Sequence, residues 1–421
     1  MQSAAHQEKH FQQYIIDRLV EQGWKLGDSK FYDTERAVYP EDLESWIKTS
    51  GQQEKWDKLE RLNGAKTLEV LMDRLDKALE KQGTMQVLRQ GFSIAGCGLI
   101  EMTEAAQEDK RNAAVIERYQ ANILRVVPEL KYHPAREFAI DLVLFINGLP
   151  VATVELKTDF TQSCEAAMDQ YRNDRLPYDA QTKRREPLLT FKRGAVVHFA
   201  MSDSEIMMAT KLDGENTFFL PFNKGRKDES GTVHAGNPPG EIKADGTQEY
   251  PVAYFWEAVC QPDAWLRIFH SFVYVEKKDV VDIQGNWSKK ETLIFPRFHQ
   301  WTAVNQMLAD ARENGAGMTY LCDHSAGSGK TSTISWTAHD LVKLREDNGD
   351  SVFNSVIIVT DRNVLDGQLQ DAVKQIDHQF GVIAAIDRQK SSKSKSKQLS
   401  EALLSGTPIV VVTIQKIGRA H

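Results

Sequence analysis

The chain of 421 residues reads as an α/β protein of two lobes, and three observations carry that reading. An apolar hairpin, Arg136 to Thr158, holds Asp141, Glu155 and Lys157, charges that a buried sheet does not tolerate without partners. A glycine-rich loop, His324 to Lys330, stands between an apolar run and a helical one, the setting of a phosphate-binding loop. Between the two, Lys224 to Gly246 is rich in Gly, Pro, Lys and Asp and interrupts the periodic pattern as a surface loop or linker. A chain this long exceeds what one hydrophobic core usually serves. The expected division is residues 1–255, with the loop 224–246 near its end, and residues 256–421.

Composition narrows the classes without choosing among them. Hydrophobic residues at 41% and charged residues at 26% are ordinary for a soluble globular protein. A net charge of -7 gives no overall attraction to nucleic acid, which leaves local basic patches to do any such binding. Cys97, Cys164, Cys260 and Cys322 are too scattered for a zinc site and suit a reducing compartment. No apolar run is long enough to span a bilayer and no signal peptide is evident, so the expected location is the cytoplasm, with no membrane partner.

In chain order, Ala5 to Glu21 places Phe11, Ile15 and Leu19 at helical spacing, and Leu43 to Gln90 continues with helical patterning. Gly91 to Leu99 reads as a glycine-marked loop and Asn122 to Tyr132 as a strand leading into the hairpin. In the hairpin, Asn147-Gly148 is the turn signal. Glu155 and Lys157, two apart, share a strand face. A strict two-residue turn sends Asp141 and Glu155 to opposite faces, so a site using both acids requires a three-residue loop or a bulge elsewhere in the hairpin. After a polar loop, a helix ends at Gln170-Tyr171, and strands are expected at Ala195 to Ala200 and Ile206 to Thr210. Lys183, Arg184, Arg185, Lys192 and Arg193 form the best local basic patch, a solvated surface or a set of phosphate contacts.

In the second lobe, Met318 to Cys322 is the expected strand before the loop, with a helix after it. Gly327 and Gly329 let the backbone, with Ser328, approach phosphate; Lys330 reaches the outer phosphates; Thr331 and Ser332 open the helix, where Thr331 can ligand Mg2+. His324 stands where the first glycine of the usual pattern is expected. Ser355 to Thr360 and Pro408 to Gln415 read as buried parallel strands, and Ser391 to Lys397 as a low-complexity loop.

The Asp followed by a strand ending Glu155-Leu156-Lys157 resembles the PD-(D/E)xK nuclease core. The resemblance implies that Asp141 and Glu155 hold Mg2+ against a scissile phosphate, with Lys157 activating water or steadying charge. It also suggests Glu8 as a first-helix metal ligand and Gln170 as a further catalytic residue, although the family's Gln-x-x-x-Tyr spacing is absent. Asp28-Ser29-Lys30 and Glu276-Lys277-Lys278 fit the short pattern too, as a turn and a solvated charge run. Phe295 to Gln300 resembles the glutamine motif by which superfamily 2 helicases read adenine, with Gln300 as the reader; a capped helix start after Pro296 is the other reading. Ser355 to Thr360, followed by Asp361-Arg362 and Leu365 to Leu369, is similar to helicase motif Ia, with Thr413 and Gln415 as further DNA contacts.

The joint order, a PD-(D/E)xK-like lobe, the run Phe218 to Asn223, then a RecA-like superfamily 2 motor, resembles the R subunit of a type I restriction enzyme. That resemblance implies Mg2+-dependent cleavage of double-stranded DNA, ATP-driven translocation, and modification (methyltransferase) and specificity subunits as partners. Because no Walker B acidic pair follows in the sequence, weak ATP binding without turnover is expected. A helicase-nuclease of DNA repair and a non-catalytic DNA-binding or assembly module are the alternatives.

Overall fold

The computed structural model describes residues 4–108, 111–159, 163–281, 285–346, 348–360, 369–370, 372–374, 376, 383–385 and 395–413. Asp361–Gln368, Gln415 and the first part of the 391–397 tract lie outside the described residues. The chain divides into two compact units, Met1–Ala106 with Ala113–His270, and Gln107–Asn112 with Ser271–His421.

The first unit opens with helix α1 (Ala4–Glu21), which buries Phe11, Ile15 and Leu19 as their spacing requires. The short strand β1 (Lys25–Leu26) and helices α2 (Pro40–Thr49), α3 (Gln53–Asn63), α4 (Thr67–Gln82) and α5 (Thr84–Gln90) follow. The expected loop after α5 is instead a small antiparallel hairpin, β2 (Phe92–Ile94) and β3 (Gly98–Ile100). Its glycines mark the turn between two very short strands. Beyond α6 (Ala113–Gln120) come β4 (Leu124–Lys131), β5 (Ala139–Ile146), β6 (Leu149–Leu156), α7 (Cys164–Asn173), β7 (Val197–Met201), β8 (Ile206–Ala209) and β9 (Leu220–Pro221). Together they form a seven-stranded sheet in the order β1-β4-β5-β6-β7-β8-β9.

The sheet is mixed. Strands β4 to β6 run antiparallel, β6 and β7 are parallel, and α7 is the crossover between them. Both faces of β6 are covered, so every residue of that strand is buried. Cys164, Ala167, Met168 and Tyr171 of α7 share one core with Val143 and Phe145. On β4, the buried Arg125 grips Asp42 of α2 through two 2.6 Å hydrogen bonds, a pairing that compensates both charges. At the β5–β6 turn Asn147 and Gly148 both adopt positive φ (49° and 86°). A Cβ on Gly148 would lie 2.6 Å from the Tyr39 carbonyl oxygen, so only glycine fits.

Of the two readings of residues 224–246, surface loop or linker, the structure shows the first, and the compact unit itself runs on past residue 255. The segment 224–246 is a surface excursion of the first unit, carrying the two-residue strands β10 (Arg226–Lys227) and β11 (Val233–His234). It is tied back where Asn237 donates to the Ser204 carbonyl at 2.8 Å. The boundary falls after His270 rather than at 255/256, because the aromatic residues beyond 255 complete the first core. Phe255 packs edge-on against Phe199, with ring centroids 5.0 Å apart. Trp265, on helix α8 (Pro262–Arg267), packs against Trp24, whose indole N–H donates to the Cys260 carbonyl at 2.9 Å.

The second unit begins with an antiparallel ribbon that sequence periodicity did not reveal, β12 (Tyr274–Val281) and β13 (Trp287–Ile294). Most of both strands is exposed, and the charge run Glu276-Lys277-Lys278 lies on it. Helices α9 (Phe298–Asn314) and α10 (Lys330–Leu341) follow. Strands β14 (Val356–Thr360), β15 (Ile383–Ala385) and β16 (Ile409–Thr413) form a parallel sheet in the order β14-β16-β15. A helix, Lys395–Leu404, precedes β16 where a loop was expected. Phe272, Tyr274, Val304, Leu308 and Trp336 form one core of this unit; Ala338, Ile358, Ile409 and Val411 belong to another. Strand β14 is less buried than its apolar sequence suggests, since Ile357 and Val359 face outward. Met318 to Cys322 forms no strand: it pairs with no described strand and leaves Leu321 92% exposed. Among the described residues no helix is long and apolar enough to cross a membrane.

Candidate active site and nucleotide loop

The hairpin joins its acids by the second of the two routes open to it. The turn is the tight two-residue one, with Ile146 facing Leu149, and a bulge beyond Phe145 moves the register so that Leu142 faces Val154. The next rung therefore sets Asp141 opposite Glu155.

Glu155 is fully buried. One oxygen, Oε1, accepts a 2.5 Å hydrogen bond from Nε of Arg175, while Oε2 is buried with no hydrogen-bond partner. Burial pushes the Glu155 carboxyl well above the usual range and the neighbouring Asp141 charge pushes it further, against the pull of Arg175. Asp141 is held at both ends: its Oδ2 accepts the Leu156 N–H at 2.6 Å and its carbonyl accepts the Gln12 amide of α1 at 2.7 Å. Lys157 bends its ammonium onto the Leu156 carbonyl at 2.7 Å and faces Glu8 of α1 at 3.4 Å. Burial raises the Glu8 carboxyl, opposed by Lys157 and reinforced by Asp141. The four expected residues, Glu8, Asp141, Glu155 and Lys157, thus gather at the open end of the hairpin.

Gln170 does not join them through any hydrogen bond of its side chain; its Oε1 is buried and unpartnered. The adjacent Tyr171 is committed to the core, where its hydroxyl meets Thr153 Oγ1 at 2.8 Å and Thr153 meets His198 Nδ1 at 2.8 Å. Burial holds His198 down at about 3, so this network carries a neutral imidazole. Arg175 and Gln12 were missed by sequence reasoning. The demand for a cationic partner at Glu155 was legible, but which of many arginines would answer it was not.

The basic patch is mostly neutralised. Arg184 pairs with Glu35, and Arg185 lies 3.6 Å from Glu80. Arg193 is buried, bonded to Asp76 at 2.5 Å, near Glu80 at 3.1 Å, and to the Arg36 carbonyl at 2.7 Å. It braces α4 against the segment before β7 and is not available to phosphate, which corrects its expected DNA contact. Lys192 holds a left-handed backbone, φ 67°, and its carbonyl accepts the Thr84 N–H at 2.7 Å. Lys183 remains exposed, its ammonium 5.7 Å from the Tyr178 ring.

Among the described residues, His133, Asp179 and Glu186 have metal-ligand spacing, with ligand atoms within 4.8 Å of one another. The Ala135 N–H donates to His133 Nδ1 at 3.1 Å, so Nε2 carries the proton and points it at both carboxylates, each 3.4 Å away. Arg136 already lies 3.0 Å from the same Asp179 oxygen. The three side chains, with Arg136, form a compact charged cluster.

In the second unit the glycine-rich loop leads directly into α10, with Gly327 and Gly329 at positive φ (74° and 82°). The Lys330 ammonium arches over the loop, donating to the carbonyls of His324 at 2.8 Å and Ser325 at 2.9 Å. Gln300 is a helix-start residue: its Oε1 accepts the Arg297 N–H and its Nε2 donates to the Gly329 carbonyl, both at 2.9 Å. Each end of that amide thus already carries one hydrogen bond within the unit. Ser332 meets the Tyr274 hydroxyl at 3.0 Å.

Comparison with known proteins follows the same two units. A family model described as the type I restriction enzyme R protein N terminus matches residues 6–217, half of the chain, and one described as SWI2/SNF2 ATPase matches residues 299–421. The chain belongs to the type I restriction enzyme R protein family, and its residues 299–421 are similar to SWI2/SNF2 ATPases. It is 24% identical over 252 residues to the type I restriction enzyme HindI endonuclease subunit of Haemophilus influenzae, covering 57% of this chain and 21% of that protein. It is 23% identical over 261 residues to a putative type I restriction enzyme MjaVIIIP endonuclease subunit of Methanocaldococcus jannaschii, covering 60% and 21%. The chain thus spans about a fifth of the length of these curated relatives.

Proposed function

We propose that the first unit is a PD-(D/E)xK-type nuclease cutting double-stranded DNA, and that the second is the start of a RecA-like ATP-driven translocation motor. The observation that carries the nuclease reading is the orphaned Glu155 Oε2, fully buried on the rung that faces Asp141. Ionising a buried carboxyl whose second oxygen has no donor costs several kcal/mol, a cost that a bound cation would offset. Two carboxylates of this kind are hard oxygen ligands, which suit Mg2+. Asp141 and Glu155 would hold it, with Glu8 within reach of the same charge cluster. A bound divalent ion there lowers the pKa of water and neutralises charge developing on the phosphate.

The chain's own groups do the rest. The Leu156 N–H and the Gln12 amide fix Asp141 from two directions, so the acid does not reorganise as charge develops. Lys157, tethered through Leu156 and Glu8, sets an ammonium beside the acids, where it can meet a phosphate oxygen or orient water. Lys183 and its exposed neighbours offer sequence-independent phosphate contacts. In the motor unit, the Lys330 ammonium rests on the His324 and Ser325 carbonyls, from which a phosphate anion at the start of α10 would draw it.

The relatives' descriptions as type I restriction enzyme subunits support a restriction role, with modification and specificity subunits supplying methylation and target choice. The deciding experiment is plasmid cleavage by the purified chain with and without Mg2+. The proposal expects cutting that needs the ion and vanishes in Asp141→Ala and in Lys157→Ala; cutting that persists in both variants sinks it.

A further inference from the structure

We propose that Arg175 is the positioning residue of the acidic centre: by holding one oxygen of Glu155 it leaves the other, and only the other, to face Asp141 and a cation. The inference rests on the cation-binding reading above and adds a residue that the short motif does not contain.

The argument is geometric. Arg175 stands two residues past the end of α7, its backbone N–H bonded to the Gln170 carbonyl at 3.1 Å. Its side chain is 10% exposed and its Nε lies 2.5 Å from Glu155 Oε1. Arg175 lies within electrostatic reach of Tyr132 and Tyr171 and is held by its bond to Glu155. Glu155 sits on a strand buried along its whole length, in a carboxylate whose two oxygens have opposite fates, one bonded to Arg175 and one without a hydrogen-bond partner. A free carboxylate rotates and can chelate through both oxygens, a mode that large, flexible shells such as that of Ca2+ accept readily. Pinning Oε1 removes the bidentate mode and presents a single oxygen at a fixed direction, which suits the strict octahedron of Mg2+. Arg175 therefore acts through Glu155 on affinity and on the choice between the two ions, as outer partners of metal ligands do.

Isothermal titration of the full chain with Mn2+, and competition of Mg2+ and Ca2+ against it, tests this at one fixed pH on wild type, Glu155→Gln, Arg175→Met and Arg175→Lys, with circular dichroism and melting curves for each. The expected results are one site in wild type, its loss in Glu155→Gln, and about tenfold or greater weakening in Arg175→Met. The preference for Mg2+ over Ca2+ should fall in Arg175→Met and be partly restored in Arg175→Lys, whose ammonium can still hold Oε1. A merely structural arginine would lower the melting temperature without moving that preference. Should Arg175→Met fail to fold, Arg175→Lys carries the test through an intermediate affinity and preference. Unchanged or tighter binding with an unchanged ion preference, in a folded variant, overturns the role of Arg175 and leaves the acidic centre standing. A wild type without a site, or a site surviving in Glu155→Gln, removes the centre and the proposal together.

Discussion

Asp141→Asn is the most informative single change in the acidic centre, because it separates the cost of the centre from its use. At a pH alkaline enough to ionise the raised Glu155 carboxyl as well as Asp141, the condition for the whole comparison, side chains directly opposite on an antiparallel pair lie about 5 Å apart, and two like charges at that distance repel by roughly 3 kcal/mol at an effective dielectric of about 20. Solvent reaching the half-buried Asp141 and the Arg175 contact to Glu155 reduce the net penalty to about 1–2 kcal/mol. Asparagine keeps an oxygen to accept the Leu156 N–H, so the hairpin survives and the repulsion goes. For a unit of this size 1 kcal/mol moves the melting temperature by about 2–4 °C. In EDTA, Asp141→Asn should therefore melt about 2–8 °C above wild type. Mg2+ at a hundred times its dissociation constant should stabilise wild type by about 2.7 kcal/mol and the variant hardly at all. Differential scanning calorimetry with EDTA and with Mg2+ reads both. A variant that melts lower in EDTA and still gains stability from Mg2+ refutes the reasoning.

Three further outcomes are expected. His198, neutral and buried with its pKa near 3 against 6.5 unfolded, contributes stability present above pH 6.5 and lost as pH falls toward 3. Between pH 7 and 5 the loss is roughly 2 kcal/mol, and urea titrations of His198→Gln should lack that part of the slope. Arg193→Ala should lower stability by about 2–3 kcal/mol without changing the salt dependence of DNA binding, whereas Lys183→Ala should leave stability alone and reduce the salt slope by about 1; the reverse pattern in anisotropy and melting data would restore Arg193 to the DNA surface. Gly329→Ala places a Cβ 2.4 Å from Gln300 Nε2 at a φ of 82°, so fluorescent ATP-analogue binding should weaken about tenfold or more while the first unit melts as before. Undiminished binding would mean that the loop tolerates a different shape.

The sheet strands β4 to β8 and the helices α1 and α7 were legible because each is an apolar run or a helical stripe whose period the sequence states directly. The acid pairing was legible only as a condition: parity demanded a longer turn or a bulge, and the Asn-Gly signal alone could not say which. Arg175 was out of reach because its partner is distant in sequence and its own neighbourhood looks like any helix end. The basic run misled for a related reason. Charge counts along the chain do not register that α4 supplies Asp76 and Glu80, which turn Arg193 inward. The β12–β13 ribbon escaped because its strands are charged on both faces, with no buried side to impose a period. Met318 to Cys322 erred the other way, apolar enough for a strand yet unpaired.

Crystals soaked in Mn2+ and measured at the manganese absorption edge put the central claim to its most direct trial. The account predicts an anomalous peak between the Asp141 and Glu155 carboxylates, within bonding distance of Glu155 Oε2. Fully occupied manganese elsewhere on the first unit, with bare density between those two acids, would contradict it.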